Sequence, residues 1–100
     1  MRFAFIIMGD FDYQKDFSSI HNSMAQIIGV KNLDEAVEVA GKLQKDRIDS
    51  IELCGAFDET GAKRIIDVTN NTIPIGYVTH LPIQNDVYQK AFKTDKKKQE

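Results

Sequence analysis

Three side chains in the second half of the chain are of types that carry out catalysis: Glu52, Cys54 and His80. Glu52 interrupts the otherwise apolar run of residues 50–57, SIELCGAF. An unpaired buried carboxylate is costly, so Glu52 is either a general acid/base or ligand anchor, or a structural group hydrogen-bonded to a neighbouring element. Alternation along a strand places Glu52 and Cys54 on one face of that strand.

Cys54 and His80 each have a functional and a structural interpretation. A thiol beside an imidazole can be a nucleophile, whereas a lone buried cysteine commonly behaves as a small hydrophobe. His80 follows an apolar run and precedes Leu81-Pro82, so it fits a turn as well as a site. We therefore treat Glu52, Cys54 and His80 as candidate catalytic residues.

Four further residues follow apolar runs and are candidate ligand-binding residues: Gly9, Asp10, Gly55 and Thr79. Ligands of open parallel sheets bind outside the carboxyl ends of the strands. The pattern predicts a small-molecule-binding site there, with no reaction specified. The alternative is a non-catalytic structural or oligomeric assembly module in which the same residues are structural.

Several more specific sites are not indicated by the sequence. GAFDETGAK, residues 55–63, lacks the spacing of a phosphate-binding loop, and no G-x-G-x-x-G follows the first apolar run. His21 and His80 are expected at opposite ends of the sheet, so no metal site is predicted. No motif identifies a cofactor.

The elements that would position these residues are short apolar runs separated by helical patterns. The runs span residues 3–8, 25–30, 50–57 and 73–79, and continuous runs of this kind are typical of strands buried on both faces. Helical periodicity begins at Asn32, near Asp58 and near Gln84. The second helix is expected to stop at Asn70-Asn71, in left-handed backbone, and the third near Phe92. The sequence predicts an α/β fold of four mainly parallel strands with helices on both faces, flavodoxin-like or half-barrel-like.

Residues 9–24 fit two local structures. Asp12 to Ile20 is either a short helix, with Phe11, Tyr13, Phe17 and Ile20 covering the sheet, or an irregular loop. A parallel connection needs about a dozen residues, which this segment supplies.

Length and charge limit the classes of function. The chain has 100 residues, which predicts a single domain over residues 1–93 and a disordered basic tail over residues 94–100. Its net charge of −2 argues against nucleic acid as a partner, and its apolar runs are too short to cross a membrane.

One cysteine favours a reducing cytoplasm. A small core with two sheet edges predicts a homodimer or larger homo-oligomer, held partly by Phe11, Tyr13 and Phe17.

The run Ile51-Glu52-Leu53-Cys54-Gly55-Ala56-Phe57 resembles an uncharacterised family of small prokaryotic α/β proteins, known as a domain of unknown function. The resemblance extends to residues 3–8, to Ile27-Ile28-Gly29-Val30, to residues 35–40 and to Pro74-Ile75-Gly76-Tyr77. It implies an α/β fold and a cytoplasmic location, and it implies no substrate, cofactor or catalytic residue.

Overall fold

The computed structural model describes the backbone of residues 1–99 and the side chains of residues 1–93. Its strands are β1 (Phe3–Met8), β2 (Phe17–Ile20), β3 (Ala25–Val30), β4 (Ser50–Leu53) and β5 (Ile75–Tyr77). Its helices are α1 (Leu33–Lys45), α2 (Asp58–Val68) and α3 (Asn85–Gln99), with 3₁₀ turns at Gly55–Phe57 and Pro82–Gln84. The backbone of residues 94–99 continues α3, and the predicted disordered tail over residues 94–100 stays a prediction.

The strands form one sheet in the order β2-β3-β1-β4-β5. β1 pairs in parallel with both β3 and β4, and β4 pairs in parallel with β5. The mainly parallel α/β sheet predicted from the apolar runs is therefore confirmed. The predicted number of four strands is wrong, because a fifth strand pairs with the edge of β3.

The additional strand, β2, lies in the segment predicted as a helix or a loop. It runs antiparallel to β3, from Phe17 opposite Ile28 to Ile20 opposite Ala25. The connection between them turns through three consecutive residues with positive φ, His21 (50°), Asn22 (52°) and Ser23 (66°). A short helix and a loop fitted this segment equally well from sequence. Pairing with the exposed edge of β3 satisfies backbone groups that a single helical turn would leave unpaired.

The predicted capping signals are present at the start of α1 and the end of α2, whereas α3 continues to Gln99, beyond its predicted end at Phe92. The Oδ1 of Asn32 accepts a hydrogen bond from the backbone N–H of Glu35 at 2.9 Å and caps α1. After α2, Asn70 and Asn71 adopt positive φ values of 56° and 53°, the left-handed stop expected for this pair. Both observations confirm these two predicted helix limits.

α1 and α2 pack side by side on a single face of the sheet. Arg64 of α2 binds the Asp34 carboxylate of α1 at 2.7 Å, and the Gln44 Nε2 of α1 donates to the carbonyl of Thr69 at 2.9 Å. The buried core lies between these helices and the inward residues of the strands, which are Ala4, Ile6, Ile28, Val30, Ile51 and Leu53. The prediction of helices on both faces is wrong, and the layering is not flavodoxin-like in this respect.

The other side of the sheet, here called the open face, is covered by neither α1 nor α2. It presents the alternate residues of each strand: Ser18, Ile20, Ala25, Ile27, Gly29, Phe3, Phe5, Ile7, Ser50, Glu52 and Gly76. α3 packs mainly on the 3₁₀ turn that precedes it. Within the described residues, no helix is both long enough and apolar enough to span a bilayer.

Candidate functional site

The carboxyl ends of β1, β3, β4 and β5 meet at one edge of the sheet, here called the carboxyl rim. Backbone hydrogen bonds continue past the strands, from the N–H of Gly9 to the carbonyl of Val30 at 2.9 Å and from the N–H of Val78 to the carbonyl of Leu53 at 2.9 Å. The candidate ligand-binding residues Gly9, Asp10, Gly55 and Thr79 all lie at this rim, as the sequence predicted, and all are exposed.

Cys54 follows β4 and turns back toward β1. Its Sγ accepts a hydrogen bond from the backbone N–H of Met8 at 3.3 Å, and the half-buried side chain packs against the core. No disulfide involves this cysteine. The contact holds Cys54 between β4 and β1. This is the position of a small side chain packed in the interior.

His80 is held by the C-terminal helix. Its Nε2 lies 2.8 Å from the Oδ1 of Asn85, and its ring stacks on Tyr88 with the centroids 3.8 Å apart and the planes 8° from parallel. Both partners lie in α3. No hydrogen bond between His80 and Cys54 occurs among the described residues, so the structure does not bring the thiol and imidazole together as a pair.

Glu52 lies on the open face, next to Phe5 of β1 and Gly76 of β5. Its side chain is exposed, so the carboxylate remains in water and needs no buried partner. The expectation that Glu52 is a buried carboxylate is wrong, because the strand is covered on one face only. Strand alternation was expected to place Glu52 and Cys54 on one face. The two side chains do not meet, because Cys54 lies past the end of β4 and contacts the core.

Two shallow grooves are found away from Glu52 and Cys54. One has a volume of about 460 Å³ and is lined by His80, Asn85, Tyr88, Gln89 and Phe92. The other has a volume of about 430 Å³, lies between α1 and the β2–β3 edge, and contains Tyr13, Phe17 and Lys42, with the Lys42 ammonium 5.1 Å from the Tyr13 ring centroid. The candidate catalytic residues therefore do not line one cavity.

Asp58 is a residue at the rim that sequence reasoning did not select. It begins α2 with φ of 59° and ψ of −177°, a region populated almost only by glycine. Its Oδ1 accepts a hydrogen bond from the backbone N–H of Glu59 at 2.9 Å. Strain of this type concentrates at functional sites. The sequence does show a short apolar segment, Gly55-Ala56-Phe57, directly before an acidic helix start. That pattern does not reveal the positive φ of Asp58.

The open face was also missed from sequence. Phe3, Ile20 and Ile27 are 41%, 68% and 43% exposed. Phe11 closes one corner of this face by lying over Gly29, where a Cβ atom would come within 2.5 Å of the Phe11 Cγ. The rest of this face is apolar apart from Ser18, Ser50 and the carboxylate of Glu52.

Metal ligation finds no support in the side chains that the structure describes. Among residues 1–93, no three His, Cys, Asp or Glu side chains lie close enough together to hold an ion. No buried polar side-chain atom in that range lacks a hydrogen-bond partner. The described interior is therefore satisfied without a ligand.

Comparison with known proteins identifies a family without assigning an activity. No curated protein and no solved structure matches the chain. A family model matches residues 1–93 and is described as a family of unknown function, DUF6506. The match spans the sheet, α1, α2 and the first part of α3. The chain therefore belongs to this family of unknown function.

Proposed function

We propose that the chain is a non-catalytic assembly module that forms a homodimer through the open face of its sheet. The observation that carries the proposal is the exposure of Phe3, Ile20 and Ile27 on one continuous surface. A fully exposed side chain of this size offers about 200 Å², so these three expose roughly 300 Å² of apolar surface. Patches of this size on soluble proteins commonly mark interaction sites.

The placement of the candidate catalytic residues supports the same proposal. Glu52 lies in water on the open face, Cys54 packs between strands, and His80 is engaged by α3. A catalytic site needs these groups around one cavity, with a nucleophile and a base within hydrogen-bond reach. Each instead has a local role in packing or surface chemistry. A reducing cytoplasm suits such a module, because its lone cysteine forms no disulfide.

The experiment is sedimentation equilibrium of the full chain at micromolar concentration. We expect a mass twice the 11.3 kDa of one chain. Ile27→Glu places a charge at the centre of the open face and should give a folded monomer. Phe17→Glu is the matched control, because Phe17 is 62% exposed but lies in the groove beside α1; it should remain dimeric.

Two results would contradict the proposal. A wild-type chain that sediments as a monomer removes the basis for assembly. A dimer that survives Ile27→Glu but dissociates with Phe17→Glu places the interface at the groove beside α1. Circular dichroism of each variant establishes that a change in mass reflects association rather than unfolding.

A small-molecule site at the carboxyl rim is the second candidate function, and the backbone of Asp58 favours it. Asp58, with φ of 59° and ψ of −177°, directly follows the 3₁₀ turn Gly55–Phe57 that leaves the carboxyl end of β4. A metabolite screen by thermal shift tests it, because a ligand that binds the native state raises Tm. A hit whose shift is abolished by Asp10→Asn or Thr79→Val supports the rim; hits unaffected by both contradict it.

A further inference from the structure

The C-terminal arm, residues 81–99, presents a second apolar surface. Leu81 and Ile83 are 71% and 84% exposed, and Val87 and Phe92 of α3 are 57% and 59% exposed. Val87 and Ala91 are four residues apart, as are Tyr88 and Phe92, so they form a stripe along one side of α3. This stripe is an amphipathic helix face that the core of its own chain does not cover.

The arm leaves the sheet in a fixed direction. The hydrogen bond from His80 to Asn85 and the stacking of His80 on Tyr88 join the end of the β5 strand segment to the first turns of α3. Phe92 extends the aromatic contact, with its ring centroid 5.8 Å from that of Tyr88. His80 is therefore a positioning residue for the arm.

Charge and size make the arm complementary to the open face. Residues 85–99 contain five lysines and two aspartates, a net charge of +3, while the rest of the chain carries −5. The open face contributes one carboxylate, Glu52, within its apolar surface. At 1.5 Å per residue, the 15 residues of α3 span about 22 Å. Five strands spaced about 4.8 Å apart give a sheet roughly 19 Å wide between its outer strands.

The exposed areas also match what a stable dimer requires. Leu81, Ile83, Val87 and Phe92 together expose roughly 550 Å² of apolar surface, estimated at about 200 Å² per fully exposed side chain. With the open face, each chain offers about 850 Å², and a standard interface buries about 800 Å² per partner. Neither surface reaches this value alone.

We propose that α3 of one protomer lies across the open face of a second copy, and that the second copy returns the same contact. The inference rests on the proposed dimerisation through the open face and names its occupant. The two contacts are equivalent under twofold symmetry, so each chain contributes one arm and one sheet face.

The decisive experiment is complementation between two variants. Ile27→Glu damages the face and Val87→Glu damages the arm, so each variant alone should be monomeric at micromolar concentration. In a 1:1 mixture, a heterodimer contains one chain of each variant. The Val87→Glu arm meets the Ile27→Glu face in one contact, and the unchanged arm meets the unchanged face in the other. The mixture should therefore associate with a Kd at least about tenfold lower than either variant alone. Asp86→Asn, on the polar side of α3, is the control and should leave the dimer unchanged.

The outcomes separate this inference from the proposed function. If Ile27→Glu gives a monomer but Val87→Glu stays dimeric, the open face is the interface and the arm is not its occupant. If both variants are monomeric but the mixture does not associate, the arm of one protomer does not contact the open face of the other, and the exchange is overturned. If neither substitution changes a dimeric wild-type mass, the proposed function itself is wrong.

Discussion

Gly29→Ala tests the corner where Phe11 meets the open face. Gly29 lies in β3, and a Cβ atom there would come within 2.5 Å of the Phe11 Cγ and 2.8 Å of the Phe11 Cβ. These atoms are at the root of the side chain, so rotation of the ring about its own axis cannot relieve the contact. Phe11 must leave its position, or its segment must move away from β3.

The size of the effect follows from two opposing terms. Inserting a methyl group into a filled space typically costs about 1–3 kcal/mol. Replacing glycine within a strand lowers the entropy of the unfolded chain and returns about 0.5–1 kcal/mol. We therefore expect a net loss of about 1–2 kcal/mol in the free energy of unfolding. For a domain of this size that corresponds to a Tm lower by roughly 5–15 °C.

Gly41→Ala is the matched control. Gly41 lies within α1, and a Cβ atom there would meet no heavy atom within 4 Å. Alanine is favoured over glycine in a helix interior by about 1 kcal/mol, so this variant should melt several degrees higher. Thermal and urea denaturation are measured at one protein concentration, because the proposed dimerisation would make Tm depend on concentration. If Gly29→Ala melts at or above the wild-type temperature, Phe11 does not occupy this position and the argument fails.

Three further substitutions test single features. Asn32→Ala should lower the free energy of unfolding by about 1 kcal/mol, since the hydrogen bond from the Glu35 N–H to the cap is lost; an unchanged urea midpoint would contradict this. Asp58→Gly should raise Tm, because the backbone strain there is worth roughly 1–3 kcal/mol and exceeds the lost contact with Glu59; a lower Tm would show that the side chain contributes more. Glu52→Gln should change stability by less than about 0.5 kcal/mol, because the carboxylate is exposed; a fall of several degrees would reveal a partner that the exposed position does not suggest.

The strands of the sheet centre were predictable because their hydrophobic runs are unbroken. β1 and β3 have the predicted bounds, and α1 begins at the residue after the predicted cap, Asn32. Polar or small residues flank both runs, Arg2 and Gly9 around β1 and Ser23 and Lys31 around β3, so the ends of the runs are sharp. β4 and β5 are shorter than their runs, because the chain leaves the sheet at Cys54 and after Tyr77 while remaining apolar.

The edge strand and the candidate site could not be predicted in the same way. β2 is defined by pairing with β3 rather than by its own pattern, and all four of its residues are exposed. The positive φ of Asp58 depends on how the 3₁₀ turn at Gly55–Phe57 meets α2, which is a tertiary constraint. The carboxyl rim itself was predictable, since parallel strands with this connectivity must end together.

An unbroken apolar run indicates that both faces of a strand are covered, but it does not say what covers them. In this chain the inward positions of β1 and β4 are Ala4, Ile6, Ile51 and Leu53, all fully buried under α1 and α2. The outward positions include Ser50 and Glu52 among the hydrophobic residues. Polar residues are tolerated among the outward-facing residues of a strand when a second chain covers that face. Each protomer must remain soluble before it associates, and the polar residues help it to do so. The proposed interface therefore accounts for a carboxylate, that of Glu52, at an outward position of an otherwise apolar strand.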